Sequence, residues 1–164
     1  MFLNLQHPNI RYIAPPAEGG SDTTDPTPPA KPNGNGEEID WEAHYDMAGM
    51  SFMTQQASRA YELAGRFRER GVYTVCGGMH PTNLPGQTLE HFDTVFIGEG
   101  EYTWHEFLSD YRAGAPKRVY ENRLPVDMAT VSMPRYDLLK FNHYRTTPVQ
   151  ISRGCPHNCD FCAS

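Results

Sequence analysis

The fold is decided by residues 72–78, which read Val72-Tyr73-Thr74-Val75-Cys76-Gly77-Gly78. Five strand-favouring residues end at two glycines, the pattern of a buried strand that turns into a loop. Residues 56–70 precede this strand and carry apolar side chains at helical spacing: Ala57, Ala60, Tyr61, Ala64 and Phe67. Gly71 follows them, at the position where a glycine often ends a helix. A helix that leads into a buried strand is a unit of a parallel α/β sheet.

The same alternation of strand and helix continues on both sides of this unit. Further strands are predicted at 9–13, 45–53, 94–97, 117–120 and 148–152, a short helical turn at 88–91, and a second helix at 104–111. The strand at 117–120 is expected at an edge of the sheet. The sequence therefore predicts an α/β fold built on an open, mostly parallel sheet.

Composition divides the chain and excludes some classes of protein. Residues 15–36 hold six Pro and four Gly but no large apolar residue, which predicts a disordered linker over 15–38 between a short strand region at 1–14 and the α/β domain. The net charge of −6 argues against nucleic-acid binding through a basic face. Mean hydropathy is −0.62, and neither a membrane span nor a signal peptide is predicted.

Three of the four cysteines lie within the last ten residues, as Cys155, Cys159 and Cys162 in a CxxxCxxC pattern. Thiolates so close together suit an iron–sulfur cluster or zinc, and this clustering indicates a reducing, cytoplasmic setting. Structural zinc usually takes four ligands, whereas three thiolates on a [4Fe–4S] cluster leave one iron open. Zinc and unliganded thiols stay alternatives at this point. Cys76 is predicted to be a small buried hydrophobe.

CxxxCxxC with Phe161 just before the third cysteine, directly after a predicted strand, resembles the radical S-adenosylmethionine (radical SAM) superfamily. The resemblance implies that Cys155, Cys159 and Cys162 hold a [4Fe–4S] cluster whose open iron binds S-adenosylmethionine, with Phe161 beside the adenine. Reductive cleavage would then yield a 5′-deoxyadenosyl radical. An electron donor such as flavodoxin or ferredoxin and a small-molecule substrate are implied as partners.

Residues 39–115 resemble the cobalamin-binding-type α/β domain, flavodoxin- or Rossmann-like, that precedes the radical SAM barrel in one subgroup. The resemblance rests on residues 49–54, 77–82 and 98–101 and on the connector motif 134–139. The first three stretches follow predicted strands, at the edge where open α/β sheets bind ligands. Their glycines, hydroxyls and polar groups are the candidate cofactor-binding residues: Ser51, Thr54, Gly77, Gly78, His80, Gly98, Glu99 and Gly100.

Plainer interpretations of these residues are kept open. The glycines would only make tight turns, His80 would be a partly exposed turn residue, and Glu99 and Glu101 would be solvated. The DxHxxG loop that supplies a histidine to cobalt in some cobalamin proteins is absent, so the resemblance implies no histidine axial ligand. The first β–α unit of the domain is predicted to be missing, which would leave the sheet incomplete.

The resemblance assigns 116–147 to a connector and 148–164 to the first strand and cluster loop of a truncated radical SAM barrel. Because only two residues follow Cys162, this chain alone is expected to lack turnover, and no residue is assigned a catalytic role. Two other hypotheses are a flavodoxin-like binding module with a zinc-binding tail and a truncated reading frame without independent activity.

Overall fold

The structure is a computed structural model that describes residues 10–12, 39–133, 153–155, 157, 159 and 160. Within these residues, five strands form one sheet in the order in which they occur: β1 (Ile10–Tyr12), β2 (Met47–Ser51), β3 (Tyr73–Gly77), β4 (Thr94–Gly98) and β5 (Val119–Asn122). Each neighbouring pair is parallel. The predicted α/β fold with a parallel sheet is confirmed. The strand predicted at 148–152 lies outside the described residues.

A 3-10 helix (Thr54–Gln56) and four α-helices, two longer and two short, connect β2 to β5: α1 (Ala57–Glu69), α2 (Met79–Asn83), α3 (Pro85–Thr88) and α4 (Thr103–Arg112). The predicted helices at 56–70 and 104–111 are confirmed. The turn predicted at 88–91 is confirmed, because the carbonyl of Thr88, the last residue of α3, accepts from the amides of His91 and Phe92. Pro85 begins α3, and Pro81 lies in the first turn of α2, where a missing backbone N–H costs nothing.

The helices pack on both faces of the sheet because side chains alternate along each strand. On one face, α1 buries Ala60, Leu63, Ala64 and Phe67 against side chains that include Met50 and Val95. On the other face, α4 buries Trp104 and Phe107 against Val75, Phe96 and Tyr120. Cys76 is 2 % exposed on the α1 side, so its prediction as a small buried hydrophobe is confirmed.

The first β–α unit was expected to be missing, but its strand, β1, is present in the sheet. β1 pairs in parallel with β2, with Ile10 opposite Met47 and Tyr12 opposite Gly49. Residues 13–46 separate the two strands, more than the dozen residues that a parallel connection needs. The described part of that connection, residues 39–46, contains no helix. The short strand predicted at 9–13 therefore supplies the outermost strand at this end of the sheet.

Gly98 is required where β4 ends beside β5. Its φ is +80°, and a Cβ added there would overlap the carbonyl oxygen of Asn122. A side chain would thus meet both an unfavourable backbone conformation and a neighbouring strand. Close contact between the two strand ends depends on this glycine.

We expect Gly98→Ala to lower the free energy of unfolding by about 2–4 kcal/mol, as measured by urea denaturation. Gly65→Ala is the matched control, because Gly65 lies inside α1 with no atom within 4 Å of its added Cβ. This control should raise stability by about 0.5–1 kcal/mol. Effects of the same sign for both variants would contradict the described contact at Gly98.

Candidate functional site

The loops that follow β2 and β3 are joined at the carboxyl edge of the sheet. Ser51 and Gly77 are opposite each other in the parallel register, and the amide of Phe52 donates to the carbonyl of Gly77 at 3.3 Å. A Cβ added at Gly78 would lie 2.7 Å from the Ser51 hydroxyl, and the φ of Gly78 is +102°. Three predicted site residues, Ser51, Gly77 and Gly78, are therefore brought together.

His80 is buried between these loops and α1. Its imidazole is 3 % exposed, with Nε2 at 2.7 Å from the Tyr61 hydroxyl and Nδ1 at 3.2 Å from the Thr54 hydroxyl. The amide of His80 also donates to the carbonyl of Phe52 at 3.3 Å. The interpretation of His80 as a partly exposed turn residue is wrong, because both ring nitrogens have partners inside the protein. Its predicted contact with a ligand stays a prediction.

The loop after β4 is tied to the same edge. The amide of Gly98 donates to the Thr82 hydroxyl in α2 at 3.1 Å, and the carbonyl of Gly100 accepts from the amide of Trp104 at 2.9 Å. The carbonyl of Gly100 thus contacts the first turn of α4, while Gly98 holds α2 against the sheet. Thr82 was not assigned as a site residue from the sequence, because only the folded register shows its partner.

The two glutamates of this loop contact a residue of the cysteine motif region. Nη1 of Arg153 lies 3.3 Å from Oε1 of Glu99 and 2.5 Å from Oε1 of Glu101. Oε2 of Glu99 accepts from the amide of Val126 at 3.1 Å. The interpretation of Glu99 and Glu101 as solvated residues is therefore wrong. Their carboxylates face an arginine and the chain that follows β5.

Of the predicted cluster ligands, Cys155 and Cys159 are exposed free thiols; Cys162 and the adjacent Phe161 lie outside the described residues. Within the described part of the chain, no three His, Cys, Asp or Glu side chains are grouped to hold a metal ion. Burial raises the pKa of the Cys76 thiol, which keeps this cysteine protonated and unsuited to metal binding. The donor chemistry of the exposed thiols fits an iron–sulfur cluster or zinc.

Two exposed methionines next to the joined loops were missed by sequence reasoning. Met53 follows β2 and is 58 % exposed, and Met79 follows β3 and is 43 % exposed. Phe52 and His80, their immediate neighbours, are bonded backbone to backbone. The carboxyl edge therefore carries exposed apolar side chains beside its glycines, which suits a large, partly apolar ligand. No pattern in the sequence separates these methionines from buried ones.

Residues 37–108 match the protein family described as the B12 binding domain. This range contains α1 to α3, β2 to β4 and the joined loops of the carboxyl edge. The match supports cobalamin as the ligand of this domain and agrees with the parallel α/β sheet.

The chain is also similar to curated methyltransferases. It is 32 % identical over 136 residues to bacteriochlorophyllide d C-8(2)-methyltransferase of Chlorobaculum tepidum, covering 78 % of this chain and 30 % of the relative. Identity to the C-12(1)-methyltransferase of the same organism is 30 %, over 73 % of this chain and 27 % of the relative. Identity to hopanoid C-2 methylase of Rhodopseudomonas palustris is 25 %, over 74 % and 23 %. The chain thus spans less than a third of each relative.

None of the helices in the described part of the chain is both long and apolar enough to cross a membrane.

We expect His80→Phe to lower the free energy of unfolding by about 1–3 kcal/mol, because the hydroxyls of Tyr61 and Thr54 would each lose a buried partner. A double-mutant cycle with Tyr61→Phe should give a coupling of about 1 kcal/mol in urea denaturation. His105→Phe in α4, where the histidine is exposed, is the matched control and should change stability by less than about 0.5 kcal/mol. Additive effects of the two changes at His80 and Tyr61 would refute the described hydrogen bond.

Proposed function

We propose that the carboxyl edge of the sheet binds cobalamin. The observation that carries this proposal is the joining of the loops after β2, β3 and β4 at one edge, inside the range that matches the B12 binding domain. Ligands of open α/β sheets bind at that edge. Gly77 and Gly98 end their strands at that edge, and we assign the Ser51 hydroxyl to a polar contact with the ligand.

The exposed methionines give the edge its apolar component. We assign Met53 and Met79 to contacts with the corrin ring, since they flank the joined loops and expose large side chains. We do not assign His80 as an axial ligand, because both of its ring nitrogens are held, by Tyr61 and Thr54. Bound cobalamin would supply a carrier for a methyl group.

The second part of the proposal concerns the cysteine loop. Cys155, Cys159 and Cys162 would hold a [4Fe–4S] cluster, with Phe161 beside the adenine of S-adenosylmethionine. Soft thiolate donors, their spacing and the exposure of the first two cysteines support this assignment. When bound, the cluster would supply the electron for reductive cleavage of S-adenosylmethionine, with a flavodoxin or ferredoxin as the source of that electron.

We further propose that the protein takes part in methylation of a carbon atom. Three similar proteins carry names that specify methylation at numbered carbon positions of a bacteriochlorophyllide or a hopanoid. A cobalamin-binding edge beside a cluster loop is consistent with such a reaction. The substrate class that we propose is an organic molecule that is methylated at a carbon atom.

Cobalamin binding is tested by equilibrium dialysis of the full chain against hydroxocobalamin. Met79→Glu should weaken binding at least about tenfold, because the ligand would bury an unpaired carboxylate. The substitution should leave thermal stability almost unchanged, since the side chain is 43 % exposed. The result would show that Met79 lies in the contact surface.

Met133→Glu is the matched control, at an exposed methionine outside the range that matches the B12 binding domain. Its affinity should stay within about twofold of the parent chain. Equal affinities for the parent chain, Met79→Glu and Met133→Glu would overturn the proposed contact surface. No measurable binding to the parent chain would overturn the cobalamin proposal.

The cluster is tested by anaerobic reconstitution with iron and sulfide, followed by iron analysis and electron paramagnetic resonance of the reduced protein. Changing Cys155, Cys159 or Cys162 to Ala should each abolish the stable cluster, because a thiolate ligand is lost. Cys76→Ala is the control and should retain the signal, since Cys76 is buried in the core. Stoichiometric zinc without a cluster would instead favour a zinc-binding tail.

A further inference from the structure

Arg153 lies between the carboxylates of Glu99 and Glu101, an arrangement that we name the carboxylate clamp. Its Nη1 donates to Oε1 of Glu99 at 3.3 Å, and lies 2.5 Å from Oε1 of Glu101. The glutamates belong to the loop after β4, and the arginine lies two residues before Cys155. The clamp therefore connects the carboxyl edge of the sheet with the cysteine loop.

The clamp is more buried than an ordinary surface ion pair. The side chains of Arg153 and Glu101 are each 16 % exposed, and that of Glu99 is 33 % exposed. Exposed pairs contribute little because water screens them, whereas partial burial strengthens the attraction and raises the cost of losing one partner. Oε2 of Glu101 is buried without a hydrogen-bond partner in the described residues, so Arg153 provides the charge compensation for this carboxylate.

The geometry points to Arg153 as a positioning residue, which anchors the cysteine loop on the carboxyl edge through Glu99 and Glu101. The inference rests on the proposed function for what the loop and the edge bind. Nη1 of Arg153 contacts both carboxylates, and its two N–H bonds can be donated one to each. Gly154, with φ +75°, then turns the chain directly before Cys155.

Glu99 extends the same anchor to a third segment. One of its carboxylate oxygens faces Arg153, while the other accepts from the amide of Val126. The next amide, that of Asp127, donates to the Tyr102 hydroxyl at 2.9 Å. The loop after β4 thereby holds both the chain that follows β5 and the start of the cysteine loop. Each of its glutamates thus has a partner within the protein.

The clamp itself is tested in the full chain without cofactors. In a double-mutant cycle of Glu101→Gln and Arg153→Gln, we expect a coupling of roughly tenfold in the unfolding equilibrium constant. The exposed pair of Glu106 and Lys117 is the matched control, and its cycle should give at most about fivefold. Additive effects of Glu101→Gln and Arg153→Gln would overturn the clamp, whatever cofactors the protein binds.

Positioning is tested on the reconstituted chain. Glu101→Gln should keep the iron content, raise the midpoint potential of the cluster and alter its paramagnetic resonance spectrum, because a buried negative charge is lost and the loop is released. The exchanged pair Glu101→Arg with Arg153→Glu should bring the spectrum back towards that of the parent chain. Glu106→Gln, the control at an exposed carboxylate, should change neither property.

Two results separate this inference from the proposed function. If Glu101→Gln lowers stability but leaves the midpoint potential and the spectrum of the cluster unaltered, the clamp is only a structural contact. That result would overturn the inference that Arg153 positions the cysteine loop. A parent chain that takes up no cluster would overturn the proposed cluster, and the cycle without cofactors would still decide whether the clamp exists.

Discussion

The site depends on hydrogen bonds that join each loop of the carboxyl edge to the next. Parallel pairing alone brings the ends of β2, β3 and β4 to one edge, but it leaves their loops free to diverge. The hydrogen bond between Phe52 and Gly77 joins the loop after β2 to the end of β3. The hydrogen bond between Thr82 and Gly98 joins α2, which follows β3, to the end of β4. His80 fixes both loops to α1 through Tyr61. These few bonds keep the loops after β2, β3 and β4 together at one edge, where we propose that the ligand binds.

The elements of the fold were predictable because each has its own periodicity. The buried stretch that becomes β3 and the apolar stripe of α1 both stand out locally, and their bounds shifted by a residue or two. α2 and α3 were not predictable, because helices of five and four residues contain too little sequence to show a period. Their presence depends on contacts with neighbouring strands. The pairing of β1 with β2 likewise arises only in the assembled sheet.

The candidate site could be predicted in position but not in its internal contacts. Ser51, Gly77 and Gly98 end their strands, so the sequence places them at one edge. The burial of His80 was not predictable from the sequence. Its partner Tyr61 lies in α1, and the amphipathic pattern of that helix is the same whether or not Tyr61 bonds to a histidine. Pairing of Glu101 with Arg153 joins residues more than fifty positions apart, and no local pattern carries that information.

The two parts of the site, the joined loops and the carboxylate clamp, depend on different interactions. At the joined loops, the exposed side chains of Met53 and Met79 are apolar, which suits contact with a large, partly apolar ligand. At the clamp, two carboxylates share one guanidinium, so any displacement of Arg153 leaves a partly buried negative charge uncompensated. An apolar contact tolerates small shifts, whereas a charged one does not. The charged contact lies between the loop after β4 and the start of the cysteine loop, which we propose it positions, and the apolar contact lies where we propose that cobalamin binds.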